Sequence, residues 1–121
     1  MNMEPIKELG KFVHGDTGRT IKNRAVDVDG VVVDITGSTI AMKIQAYDWV
    51  EAEPTSSDIT TITCTVDPAT ATLGYFTYLT DSIGALEVGT YIVEFEISAG
   101  GGSKLTLPLI KLEVIGDLPL S

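Results

Sequence analysis

Three aspartates between residues 27 and 34, namely Asp27, Asp29 and Asp34, are the first place to look for chemistry. Carboxylates clustered on loops are what calcium takes as ligands. The EF-hand spacing is absent, however, and Asp29-Gly30 already reads as turn chemistry, so no metal is expected there. Glu94 and Glu96 form an i, i+2 pair. Two carboxylates about 5–9.5 Å apart in a cleft would suit glycoside hydrolysis, but these two read as the polar side of a strand. A Ser-His-Asp triad would have to use His14, the one histidine of the chain, and no nucleophile motif accompanies it. Cys64, the one cysteine, falls on the inward face with Ile62 and Val66 and so reads as a small core residue. Burial keeps a thiol inert unless cations lower its pKa, and no Lys or Arg is near it in sequence. His14-Gly15-Asp16-Thr17-Gly18 is a turn and not a phosphate loop, because no Gly-Lys-Ser/Thr follows it. The residues therefore predict a protein that is not an enzyme, with no catalytic residue, cofactor or metal.

The elements that carry these residues read as strands. Thr20 to Val28 and Val31 to Ile35 are expected to form a hairpin about Asp29-Gly30, the pair preferred by a two-residue type I′ turn. Asp34-Ile35-Thr36-Gly37 is a second turn, with Asp34 or Thr36 bonding the backbone. Ser38 to Tyr47 alternates with period two: Ile40, Met42, Ile44 and Ala46 face one way, and Thr39, Ala41, Lys43 and Gln45 the other. Asp48 to Asp58 reads as loop, punctuated by Pro54, two serines and four acids. Ile59 to Val66 alternates again. Leu73 to Leu79 is a strand with Tyr75, Phe76 and Tyr78. Asp81 to Gly89 has room for one helical turn at most. Tyr91, Val93, Phe95 and Ile97 point inward from the clearest strand. Lys104 to Ile115 is the last, and Pro108 marks it as an edge strand or as one broken where it changes sheets. No segment of useful length has helical period. The expected fold is all-β, an antiparallel immunoglobulin-like sandwich of 7–8 strands in one domain (residues 12–116), with an N-terminal arm (1–11) and a C-terminal tail (117–121).

A chain of 121 residues with 44% hydrophobic composition is able to bury a core without disulfides or metal. The N-terminus has no apolar run of signal-peptide length, and no window reaches the ~18 apolar residues of a membrane span. The expectation is a soluble protein made in a cytoplasm, with no membrane partner. Net charge is −9, unevenly spread. Residues 44–103 hold nine acids and no Lys or Arg, whereas residues 1–43 hold six of each sign. Nucleic acid is excluded as a partner, because phosphate binding needs clustered cations. The acidic stretch is either a solubilising surface or a face that docks on a basic partner.

The order of turns carries a family resemblance. Gly15-Asp16-Thr17-Gly18 precedes a strand; then come Asp29-Gly30 and Val33-Asp34-Ile35-Thr36-Gly37 before Ile40–Ala46. Gly89-Thr90-Tyr91-Ile92-Val93-Glu94-Phe95-Glu96-Ile97, a glycine turn and Leu107-Pro108 follow. Over roughly residues 13–115 this resembles the N-terminal β-sandwich domain of phage upper baseplate proteins (BppU-like). The resemblance implies a non-enzymatic virion structural protein, made in the host cytoplasm and placed in the tail or baseplate, with capsid decoration or cement as the alternative. Its partners would be other virion proteins, with the chain as a homo-oligomer or in many copies. Family members often carry a longer chain after this domain, so here the domain is expected to stand alone. The expected contact residues are Pro5 in the arm, Phe12 at the start of the sandwich, Trp49 and Val50 in the acidic loop, and Pro108 on the edge. From a different class, a carbohydrate- or surface-binding module would stack sugars on Trp49, Tyr75, Tyr78 and Tyr91.

Overall fold

Period-two alternation places the sheets. In the computed structural model, which describes residues 7–107 and 110–116, nine strands form two sheets. They are β1 (Lys7–Val13), β2 (Thr20–Arg24), β3 (Thr39–Asp48), β4 (Glu53–Thr63), β5 (Thr65–Val66), β6 (Tyr75–Leu79), β7 (Gly89–Ser98), β8 (Lys104–Thr106) and β9 (Ile110–Ile115). A 3-10 turn, Ala71–Leu73, precedes β6, and a single helical turn α1, Asp81–Gly84, follows it. The larger sheet has the order β1-β9-β7-β3-β4, with β8 also on β7; the smaller has the order β2-β6-β5. The fold is an immunoglobulin-like β-sandwich, as expected. One pair departs from the antiparallel rule: β1 runs parallel to β9.

The alternation read from sequence is what fills the core. Ile40, Met42 and Ile44 of β3, and Val93, Phe95 and Ile97 of β7, are buried together with Phe76 and Tyr78 from the opposite sheet. Phe76 meets Phe95 edge-on, with ring centroids 5.1 Å apart, a contact worth about 0.5–1.5 kcal/mol beyond its area. Tyr78 tilts against the same ring at 6.0 Å.

Several boundaries differ from expectation, each for a local reason. The expected arm is strand from Lys7 onward, because β9 offers it a partner. The hairpin at Asp29-Gly30 is reduced to a single bridge, Val26 to Val32. Its turn is not type I′: Gly30 has φ +80 but Asp29 does not enter the left-handed region. Instead Asp27 Oδ1 accepts the N–H groups of Asp29 and Val31, both at 2.9 Å, and Gly30 N–H donates to the Asp27 carbonyl. The side chain of Asp27 shapes the turn, while the Asp27 N–H still donates to the Val31 carbonyl; the ladder stops at the other end, where Ala25 N–H turns to Gly74 and Ile35 N–H to Ala71. The second turn forms as read: Asp34 Oδ1 accepts Thr36 N–H at 2.9 Å and Thr36 Oγ1–H at 2.6 Å. The Thr36 hydroxyl and amide hold the Asp34 carboxyl below its usual range.

The stretch expected as an acidic loop is mostly strand. Its turn is confined to residues 49–52, where Asp48 Oδ1 accepts from Val50 and Glu51 N–H and Ala52 takes φ +57. β4 then starts at Glu53 and slips register between Pro54 and Ile59, where Gln45 Nε2 donates to the Ser56 carbonyl. Pro, Ser and Asp are tolerated there because an edge strand needs only one ladder and one covered face. The last expected strand is represented by β8 and β9, and both stay on β7 rather than changing sheets.

Candidate functional site

Two sides of the sandwich are open, and the connections define them. β4 passes into β5 through Cys64 alone, so the edge of the larger sheet continues into the edge of the smaller one. On the opposite side, residues 14–19 join β1 to β2, the other two edge strands. No described strand lies beyond any of the four.

The β4–β5 side carries an unusual run. Ile59-Thr60-Thr61-Ile62-Thr63-Cys64-Thr65-Val66 holds eight residues without a charge, all but Cys64 β-branched, bounded by Asp58 and Asp67. Its inward side chains are set by burial: Ile62 and Val66 pack on the core and Cys64 lies within it. Burial pushes the Cys64 thiol up to about 12, against a smaller pull from the Met42 backbone. The thiol is therefore a core atom, as the alternation predicted. The backbone can be assigned as well. Cys64 N–H donates to the Ile40 carbonyl at 2.9 Å. Hydrogen-bonded pairs alternate along an antiparallel ladder, so Ile62 with Met42 and Thr60 with Ile44 are also bonded pairs in the observed register. The N–H and C=O groups of Ile59, Thr61 and Thr63 consequently point away from β3, to the open side.

The β1–β2 side has the opposite charge. Lys11, Arg19, Lys22 and Arg24 lie on it. Lys22 Nζ and the Arg24 guanidinium sit 4.4 and 5.0 Å from the Tyr75 ring centroid, and Arg24 Nε–H donates to the Leu73 carbonyl at 2.8 Å. These contacts hold the two cations over Tyr75 of the middle strand β6, on the outer face of the smaller sheet. The turn linking β1 to β2 is fixed from α1 and the residues just after it: Gly18 N–H donates to Asp81 Oδ1 at 2.7 Å, and His14 Nδ1 lies 2.6 Å from the Leu86 carbonyl.

The residues singled out for chemistry are otherwise committed. Glu96 bonds Lys43 at 3.2 Å and pairs with Lys104 at 3.6 Å. The hydrogen bond and charge of Lys43 lead in holding its carboxyl below the usual range, the opposite of what a general acid needs. Asp27 and Asp34 use their carboxylates on their own turns, and among the described residues no three His, Cys, Asp or Glu side chains group to hold a metal. A cleft of about 160 Å³ opens on the outer face of the larger sheet among Lys43, Gln45, Tyr47, Ile59, Ile92 and Glu94. It is smaller than the roughly 300 Å³ at which ligand pockets begin.

The expected contact residues fare unequally. Phe12 is buried in the core, so its place among them is corrected: β1 needs it as an inward residue. Trp49 folds back on the sandwich, its indole N–H donating to the Tyr91 carbonyl at 3.1 Å and its ring edge-on to Tyr47 at 4.9 Å. Val50 stays 69% exposed at the β3–β4 turn. Pro5 and Pro108 fall outside the described residues. The stacking surface for sugars is also corrected. Tyr78 and Tyr91 are buried, Tyr75 is covered by two cations, and Trp49 is tied to Tyr91, so the four rings share no platform. Sequence reasoning passed over the edge Ile59–Thr63, whose signal was an uncharged β-branched run between two acids.

No family model matches the chain, and no curated protein matches it. Among solved structures it is similar to CopC from Methylosinus trichosporium OB3b, at 13% identity and a TM-score of 0.45, over 92% of this chain and 89% of that one. That neighbour is not a phage baseplate protein. None of these comparisons supports the expected role as a phage virion structural protein, in baseplate, tail or capsid, and that role is withdrawn together with the virion setting.

Proposed function

We propose that this chain is a non-enzymatic association module that binds an extended partner segment along the β4 edge. The observation that carries this reading is the open ladder at Ile59, Thr61 and Thr63. Its N–H and C=O groups face outward from a strand that has no charge between Asp58 and Asp67. Proteins ordinarily blunt such an edge with lysine, proline or a covering element. Here Pro54 and the register slip sit upstream of it, and the five residues Ile59–Thr63 keep an unbroken register on β3. Backbone hydrogen bonds to an added strand supply affinity in this mode, and side chains on alternate positions supply selectivity. Ile59, 56% exposed, and the neighbouring cleft would receive one such side chain.

A display library of random extended heptapeptides tests the reading. Thr61→Pro removes an N–H that points to the open side and spares the bonds to β3. Ile62→Pro removes one that bonds to β3. The wild-type chain is expected to enrich strand-forming peptides. Thr61→Pro should lose them while keeping its melting transition, and Ile62→Pro should unfold. Enrichment that survives Thr61→Pro would overturn the reading, as would a library that yields nothing on the wild type.

A further inference from the structure

Resting on that reading, we propose that the partner of the β4–β5 side is the β1–β2 side of a second copy, giving head-to-tail association. Three observations converge on it.

The first is charge. β4 and β5 themselves contain no Lys or Arg, and Lys43, one strand in and opposite Thr61, is tied to Glu96. Asp58 and Asp67 bracket its open run, and Glu53 begins β4. The opposite side presents Lys11, Arg19, Lys22 and Arg24. A two-fold pairing of β4 with itself would set acid against acid, whereas a head-to-tail pairing sets acid against base.

The second is strand direction. β1 and β9 run parallel, and β7, β3 and β4 then alternate. β4 therefore runs opposite to β1. Side-by-side repetition of the molecule brings β4 of one copy antiparallel to β1 of the next, which is the more favourable pairing.

The third is that both sheets have their edges on the same two sides. The repetition that joins β4 to β1 also brings β5 beside β2, there in parallel, since both are antiparallel to β6. Within one copy Asp67 and Lys22 already share a cleft on the outer face of the smaller sheet; the joint would add Lys22 and Arg24 of the next copy on the open side of Asp67. A heterologous joint of this kind closes into a ring or runs on as a filament, depending on the rotation per copy.

Sedimentation of three chains decides it: wild type, Asp58→Lys/Asp67→Lys, and Lys11→Glu/Lys22→Glu/Arg24→Glu. The wild type is expected to associate beyond a dimer as concentration rises, with the dissociation constant weakening about tenfold or more between low and high salt as the charges are screened. Each charge-reversed chain alone has two like-charged sides and should sediment as a monomer. Mixed together, the two should associate again. A wild type that stays monomeric up to about millimolar concentration would overturn the inference, as would a closed dimer or a mixture that stays monomeric. Those failures leave the edge reading standing if display peptides still require the Thr61 amide. Loss of Thr61→Pro sensitivity there would remove both.

Discussion

Gly84 sits in α1, where substituting alanine for glycine ordinarily gains up to about 1 kcal/mol of helix stability. The structure predicts the opposite sign for Gly84→Ala. An added Cβ would lie 1.9 Å from the Asp16 carbonyl oxygen and 3.0 Å from its carbon. Ordinary contact begins near 3.4 Å, so the turn between β1 and β2 must retreat by roughly 1.5 Å, given how little a packed interior yields. That turn is held by Gly15 N–H to the Gly84 carbonyl at 2.8 Å and Asp16 N–H to Val13 at 3.1 Å. Gly18 N–H to Asp81 at 2.7 Å completes its attachment. Losing one or two of these bonds costs about 1 kcal/mol each, and residual crowding costs about 1–3 kcal/mol. Set against the helical gain, the net loss is about 2 kcal/mol, or roughly 8 °C in Tm for a chain of this length. Calorimetry of Gly84→Ala beside Gly89→Ala is the assay. Nothing lies within 4 Å of a Cβ at Gly89, so that variant should melt within a degree or two of wild type. A Gly84→Ala protein that melts above wild type would refute the close approach of α1 to the turn.

The Tyr78 hydroxyl is buried with no hydrogen-bond partner among the described residues. Burial, then the neighbouring Cys64, push its pKa up, and Asn23 pulls the other way without reaching bonding geometry. Tyr78→Phe should raise stability to urea by about 1 kcal/mol, since an unsatisfied buried group carries an uncompensated desolvation cost; a loss of that size would show the hydroxyl to be bonded. Cys64 gives an alkaline signature. Its thiol ionises near 9.0 when unfolded and near 12 when folded, so the unfolded chain releases the proton first. Stability should hold up to about pH 9 and fall between pH 9 and 12. Cys64→Ala should be less stable at neutral pH yet lose less over that interval, and a slope equal to the wild type's would refute the assignment. Native Cys64 should also stay inert to a thiol reagent until the chain is unfolded.

The core was legible because alternation is a local signal. Ile40, Met42 and Ile44, and Tyr91 through Ile97, sit where period two puts them. Asp34 and Thr36 were legible for the same reason, since an Asx turn needs only its own backbone. What sequence could not give was any feature decided by a distant partner. The parallel seat of β1 on β9 depends on residues about a hundred positions away. The strand character of Glu53–Asp58 comes from pairing with β3 and overrides a composition of Pro, Ser and acid that reads as loop. Gly30 suggested a tight hairpin, but the Asp27 side chain, which no propensity scale weighs, took over the turn. The edge itself was missed because Thr61 and Thr63 read as the polar face of a covered strand. Only the topology shows that nothing described lies beside them.

Residue-resolved amide exchange along β4 tests the edge most directly, measured in dilute solution and again with a display-selected peptide at saturation. The account predicts alternation in the dilute chain, with Thr60 and Ile62 protected by β3 and Ile59, Thr61 and Thr63 exchanging fast. The peptide should bring those three up to the protection of their neighbours. Uniform protection in dilute solution, or no change at Ile59, Thr61 and Thr63 on binding, would contradict it.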